Sequence, residues 1–269
     1  MRSKYRETYY KCGDYLDVNI YPVYKQGRGG RRRKAKPTPE TKQKLNEIAS
    51  QNKLIRIANA NFCYYDLKVE LTYKPERNPL TDEDAARELR NFLRRVKRYR
   101  ERNGMSELKY IAVTERGSLK GRYHHHLIMN DIPIKDLVAL WGNGIVGTDV
   151  LQFDENGIAS LARYMMKQAR DFLGKKKYTR SNNLVDPQPV SRDSVSKRKV
   201  MELAENVECR TEYEKLHEGY FLSAAEVVFN DANGGIYIHA RYYSKEAEWC
   251  RRQQKRTNRS RSSGGQSSQ

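Results

Sequence analysis

The chain has little of what marks a secreted, disulfide-stapled or membrane-bound protein. Four cysteines in 269 residues stand at positions 12, 63, 209 and 250, with no Cys-x-x-Cys pair. That scatter excludes a disulfide framework and a zinc knuckle, and it predicts reduced thiols in a cytoplasmic compartment. No apolar run approaches the roughly eighteen residues of a membrane helix, and no lipidation motif is present, so no membrane partner is expected. The opening MRSKYRETYY carries charge without an apolar stretch and does not read as a secretory leader. The G-x-x-x-x-G-K-[ST] phosphate loop is missing, so duplex unwinding is expected to come from another protein. Acid is in short supply: 33 Asp+Glu stand against 52 Lys+Arg, a formal net charge of +19. Such an excess opposes compaction and favours a polyanionic partner. Nucleic acid comes first, because each phosphate neutralised releases counterions.

Hydrophobic residues make up 38% of the chain, which leaves part of it outside any packed core. The segment 25-KQGRGGRRRKAK-36 holds seven basic residues, three glycines and no acid, the composition of a solvated arm. At the other end, 251-RRQQKRTNRSRSSGGQSSQ-269 is basic and then rich in Ser, Gly and Gln. The expected organisation is a basic, partly disordered N-terminal arm over 1–51 and an ordered domain over 52–190. An accessory β-containing lobe over 191–245 and a basic, disordered tail over 246–269 complete it.

Within the ordered part, 67-LKVELTY-73 alternates strictly, with Leu67, Val69, Leu71 and Tyr73 facing one way, as a half-buried strand does. A helix follows over 80–102. Thr81 is its N-cap and Asp84 completes a capping-box variant; Ala85, Leu89, Phe92, Leu93 and Val96 form its apolar stripe and basic residues load the rest. Strands are predicted over 108–115 and through 121-GRYHHHLIMN-130, joined as a hairpin. A helix over 134–142 ends at Gly142 and Gly144, a strand covers 146–153, and a helix runs from about 157 to 173. Beyond it, 194–207 looks helical, and 225–231 with 236–243 forms a hairpin. The order β-α-β-β-α-β-α predicts an α+β fold: a split β-α-β antiparallel sheet with helices on one face, an open nucleic-acid-binding face, and a small C-terminal β-containing lobe.

Three of the five histidines are consecutive. On a strand, His124 and His126 share a face with Ile128, while His125 points with Tyr123, Leu127 and Met129 into the core, a place for a neutral, hydrogen-bonded imidazole. Glu115, ending the preceding strand, is the candidate third ligand of a His-His-Glu set with coordination positions left open. On the last helix, Ile158, Leu161, Ala162, Met165, Ala169 and Phe172 share one face, and Tyr164 and Lys167 fall off it at i, i+3 spacing. A phenol outside the apolar stripe with an ammonium one turn away suits a tyrosine nucleophile. Each piece taken singly also fits an ordinary solvated surface, and with 19 tyrosines most are structural.

As an ordered set, 68-KVELTYK-74, 124-HHH-126 preceded by Arg122, and 164-YMMK-167 resemble the three motifs of the HUH-type single-strand endonucleases, the rolling-circle replication initiators of filamentous and other single-stranded-DNA phages. The resemblance spans roughly residues 52–190. It departs from the family pattern in placing His125 where a hydrophobe stands, and it has a single tyrosine in the third motif. The resemblance implies a nicking endonuclease and strand transferase in which His124, His126 and Glu115 hold Mg2+ or Mn2+. Tyr164, assisted by Lys167, would then attack a phosphodiester of single-stranded origin DNA, leaving a 5′-phosphotyrosyl link and a 3′-hydroxyl for a host polymerase, with a host helicase opening the duplex. Arg94, Arg95 and Arg98 on the basic helix, and Arg122, are the expected DNA contacts. An HUH relaxase or transposase shares the chemistry, and a non-catalytic nucleic-acid-binding protein shares the charge.

Overall fold

The computed structural model describes residues 4–23, 40–117, 121–168, 178–230 and 234–247. In chain order the elements begin with β1 (Lys4–Cys12), β2 (Tyr15–Val23), α1 (Glu40–Asn61), β3 (Leu67–Thr72), α2 (Asp82–Arg102) and β4 (Tyr110–Arg116). β5 (Tyr123–Met129), α3 (Ile134–Trp141), β6 (Val146–Val150), α4 (Ala159–Gln168) and β7 (Thr179–Arg180) follow. The chain then forms β8 (Pro189–Val195), α5 (Lys197–Glu205), α6 (Arg210–Glu214), β9 (Tyr220–Asn230) and β10 (Gly235–Ser244). The described residues fall into two compact units, one drawn from 1–52, 154–157 and 186–269, the other from 53–153 and 158–185. No helix among the described residues is long and apolar enough to cross a membrane.

The second unit carries the histidine strand. Its sheet has the order β6-β3-β5-β4-β7, all neighbours antiparallel. This is the α+β split β-α-β arrangement that the element order predicts. Alternation decides the faces. Leu67, Val69, Leu71, Ala112, Tyr123, Leu127 and Met129 pack with the stripe Ala85, Leu89, Phe92, Leu93 and Val96 of α2 and with Leu137 and Trp141 of α3. Thr81 caps α2: its hydroxyl oxygen accepts from the Asp84 amide at 3.1 Å and its proton goes to Asp84 Oδ2 at 2.9 Å. α3 stops at Gly142, whose φ of 64° is left-handed. Gly144 is required by close approach: a Cβ there would stand 2.1 Å from the Thr72 carbonyl oxygen. That same oxygen accepts from Trp141 Nε1 at 2.9 Å, which ties α3 to β3.

The opposite face of this sheet is divided. α4 lies along β4, its start fixed where Asn59 Oδ1 of α1 accepts from the buried Ile158 amide at 3.0 Å. Its inward residues are Ala162, Met165 and Met166; Ala169 and Phe172, expected in the same stripe, lie outside the described residues. The β3–β6 half stays open, with Lys68 and Glu70 about two-fifths exposed and Asp149 mostly so.

The first unit differs from the organisation expected of the sequence. Residues 4–23, assigned to a basic arm, form a hairpin whose two-residue loop is Gly13-Asp14, with Gly13 at φ 62°. β1 and β2 then enter a five-stranded sheet of order β8-β1-β2-β10-β9. The lobe is therefore built from both ends of the chain rather than from 191–245 alone. Its core joins Tyr5, Tyr9, Leu16, Val18 and Ile20 to Val200 and Leu203 of α5, Tyr213 of α6, and Ile238, Ala240 and Tyr242 of β10. Two buried carboxylates pair with histidines: Glu7, in phase with Tyr5 and Tyr9, has Oε1 2.8 Å from His217 Nε2, and Asp17, in the phase opposite to Leu16 and Val18, has Oδ2 3.3 Å from His239 Nε2. The basic run 25–36 and residues 248–269 of the tail lie outside the described residues.

Candidate functional site

β5 separates its three imidazoles by alternation. His125 is wholly buried between two hydroxyls, with Tyr73 Oη 2.7 Å from its Nε2 and Thr114 Oγ1 2.8 Å from its Nδ1. Burial, reinforced by its two histidine neighbours, pulls its pKa down to about 3, so the ring is neutral. One ring nitrogen donates and the other accepts, a pattern that two hydroxyls satisfy in either tautomer.

On the other face four side chains from three strands form two pairs. His124 Nδ1 lies 3.6 Å from Glu70 Oε1, and His126 Nε2 lies 3.6 Å from Glu115 Oε1. The pairing is diagonal: directly across the ladders, Glu70 faces His126 and Glu115 faces His124. His126 is almost fully buried, and neither of its nitrogens has a hydrogen-bond partner. The ring of Tyr164 meets that imidazole edge to face, with centroids 5.6 Å apart and planes at 86°. Tyr164 itself is 44% exposed, so its phenol stands at the rim of the cluster within reach of solvent. α4 thus delivers the tyrosine to the end of the sheet where His126 and Glu115 meet.

The sequence-derived set divides accordingly. His126, Glu115 and Tyr164 converge, and His124 adjoins them through Glu70. Lys167 is exposed one turn on from Tyr164 and has no ion-pair partner among the described residues. Arg122 is exposed two residues ahead of His124. Arg94 and Arg98 are exposed on α2, which covers the other face of the sheet. Arg95 is taken up by structure: its guanidinium donates to the Leu140 carbonyl at 2.8 Å and the Trp141 carbonyl at 3.5 Å, closing the end of α3. Glu70 was not singled out by sequence reasoning. Its signal was available, since it sits on the polar phase of 67-LKVELTY-73, but only the β3–β5 register brings it to the histidines.

The segment from β3 to α4 is also what likeness to other proteins picks out. Residues 66–169 match the family model of the Replication-associated protein ORF2. The match starts one residue before β3 and ends one after α4, so it contains all of His124, His126, Glu115, Tyr164 and Lys167. No curated protein and no solved structure matches the chain. Apart from residues 154–157, the replication-associated likeness thus falls on the second unit, and none of it extends to β1, β2 or β8–β10.

The donor set bears on a metal in two ways. Among the described residues, no three His, Cys, Asp or Glu side chains stand close enough together to hold an ion. The chemistry of the set nevertheless suits one: an imidazole whose buried nitrogens lack partners faces a carboxylate at a separation too long for a hydrogen bond. His124 and Glu70, 3.6 Å apart on the open side of the same strands, are the adjoining donors.

Proposed function

We propose that the protein initiates rolling-circle replication by nicking single-stranded origin DNA with Tyr164. The observation that carries this reading is the edge-to-face meeting of Tyr164 with His126, which itself faces Glu115 across the sheet. A replication-associated family likeness confined to that segment supports it. The phenolic oxygen of Tyr164 bonds to phosphorus as the bond from phosphorus to O3′ breaks. The phenolic proton passes to water, and the departing O3′ takes one up. The product is a 5′-phosphotyrosyl link and a 3′-hydroxyl that a host polymerase extends, and the covalent link conserves the phosphodiester for rejoining.

A phenol of ordinary pKa near 10 is a poor nucleophile at neutral pH. Exposed Lys167 supplies a cation one turn from it, suited to the phenolate or to a phosphate oxygen. His126 and Glu115, joined by His124, would hold a magnesium or manganese ion, whose contribution when bound is to neutralise the scissile phosphate's charge. The exposed half-face with Lys68, and Arg122 at the start of β5, would guide the strand toward the phenol.

The test is an SDS-resistant adduct. The purified protein, with Mn2+ and labelled single-stranded DNA spanning its own coding region, should give a covalent band. Tyr164→Phe should lose that band and keep its affinity for the DNA. Adducts that persist in Tyr164→Phe would overturn the assignment of the nucleophile.

A further inference from the structure

The same unit carries a second recess, on the α2 side of the sheet. It is a cleft of about 440 Å³ between α2 and the edge formed by β4 and β7. Its wall on α2 is a stripe of exposed cations, Arg90, Arg94 and Lys97, spaced so that they follow one line along the helix. Arg180 of β7 closes the far side. The floor is apolar: Leu93 is buried, and the half-buried ring of Tyr110 packs against the same core. Burial pushes the Tyr110 phenol above its ordinary pKa, so it stays a neutral donor. Asn182 adds an exposed amide at the mouth. The one acid on the lining, Glu107, already accepts from Asn183 Nδ2 at 3.1 Å.

An apolar floor with an aromatic ring in it, an amide at its rim and a line of cations beside it match one kind of ligand. The floor stacks a nucleobase, the amide reads its edge, and the cations take the phosphates on either side. Lys97 has one exposed carboxylate near it, Glu101 Oε1 at 3.8 Å, and Arg90 and Arg94 extend the cationic line beyond that pair. We infer that this cleft is a second binding site for single-stranded nucleic acid, holding one base over Tyr110 with its flanking phosphates on Arg90, Arg94 and Lys97. The inference rests on the reading that the protein's substrate is a single strand. The cleft is separate from the tyrosine site: Tyr110 and Glu115 are five residues apart on β4, about 17 Å at 3.4 Å per residue, and they point to opposite faces. It would therefore hold the strand away from the cut and fix which phosphate reaches Tyr164.

The experiment uses the full chain and an oligothymidylate of about twenty nucleotides carrying 5-iodouracil. After irradiation, peptide mapping should find a crosslink on Tyr110. In parallel, anisotropy should follow the same oligonucleotide between roughly 50 and 200 mM salt. Removing two phosphate contacts with Arg94→Ala/Lys97→Ala should flatten the salt dependence by about sevenfold over that range, from a single-strand slope of about 0.7 per contact. Lys135→Ala, an exposed change on α3 outside the cleft, should lose clearly less. Crosslinks only elsewhere, or equal losses in the cleft and Lys135 variants, would overturn the proposal. Thymidine monophosphate that blocks the Tyr110 crosslink as effectively as unlabelled oligonucleotide would make the ligand a free nucleotide and overturn the strand assignment. Because the cleft variant retains Tyr164, His126 and Glu115, adduct formation reports on the nicking assignment separately.

Discussion

The sharpest physical consequence of the histidine strand concerns the histidine that faces away from the site. His125 is neutral in the folded protein down to about pH 3, whereas in the unfolded chain its ring takes up a proton near pH 6.5. Below pH 6.5 the unfolded state therefore binds a proton that the folded state refuses. Stability contributed by this residue is intact above pH 6.5 and falls by a factor of ten in the folding constant per pH unit, until the loss levels off near pH 3. At pH 4.5, two units into that window, the loss is about 3 kcal/mol, a large share of the total stability of an ordinary domain. His125→Gln cannot take up this proton. Whatever the substitution costs at pH 7 through the hydroxyls of Tyr73 and Thr114, the gap between variant and parent should close by about 3 kcal/mol on acidification. Urea unfolding of both proteins in EDTA at pH 7.0 and pH 4.5 measures that difference of differences. If the gap is the same at both pH values, the buried neutral imidazole is wrong. Should the variant not fold, carbon-13 NMR of the parent's histidine rings replaces it, with one resonance expected not to titrate between pH 7 and pH 4.

Other consequences are more local. Glu115→Gln or His126→Ala, or EDTA added to the parent, should stop cleavage of an origin strand, and Glu115→Gln should weaken Mn2+ binding at least about tenfold in a direct titration; undiminished cleavage would remove the metal from the chemistry. Gly144→Ala drives a methyl to 2.1 Å from the Thr72 carbonyl oxygen and should cost roughly 3 kcal/mol or more, seen as a Tm lowered by several degrees; an unchanged Tm would mean that β3 yields freely. Arg95→Ala strips the donor from the carbonyls ending α3 and should cost about 1–3 kcal/mol with little change in the salt dependence of DNA binding. Arg98→Ala should do the reverse, and equal effects of the two on stability would refute the structural role of Arg95.

The second unit was legible because its signals are local. Period-two alternation in 67-LKVELTY-73, the Thr81–Asp84 cap, the apolar stripe of α2 and the Gly142 stop are each decided within a few residues, and the element order then leaves few topologies. Position within the basic helix was not legible. Arg94, Arg95 and Arg98 read alike as solvated cations, yet Arg95 serves α3, and Arg100 is buried, donating to the Ser106 and Asp131 carbonyls. Long side chains with five donors find carbonyls that only the tertiary fold supplies. The N-terminal hairpin was hidden for a similar reason. In 4-KYRETYYKC-12 the inward phase of Tyr5 and Tyr9 includes Glu7, so the alternation looks broken. That carboxylate is admissible inside only because His217, more than two hundred residues later, meets it.

The run of three histidines is one strand serving both of its faces, and the middle residue sets the position of the other two. His125 is bonded to Tyr73, which follows β3, and to Thr114 of β4, so it holds β5 against the elements on both sides. Sliding β5 by one residue would break both bonds, bury His124 and His126 in the apolar layer and turn His125 outward. The cost of two stranded hydroxyls and two buried imidazoles makes that slip prohibitive. An aliphatic residue at 125 would fill the layer but would be indifferent to its partners on either side. The imidazole, with two acceptor-or-donor nitrogens set across the ring, specifies the register that brings His126 beneath Tyr164 and opposite Glu70, with Glu115 on the diagonal.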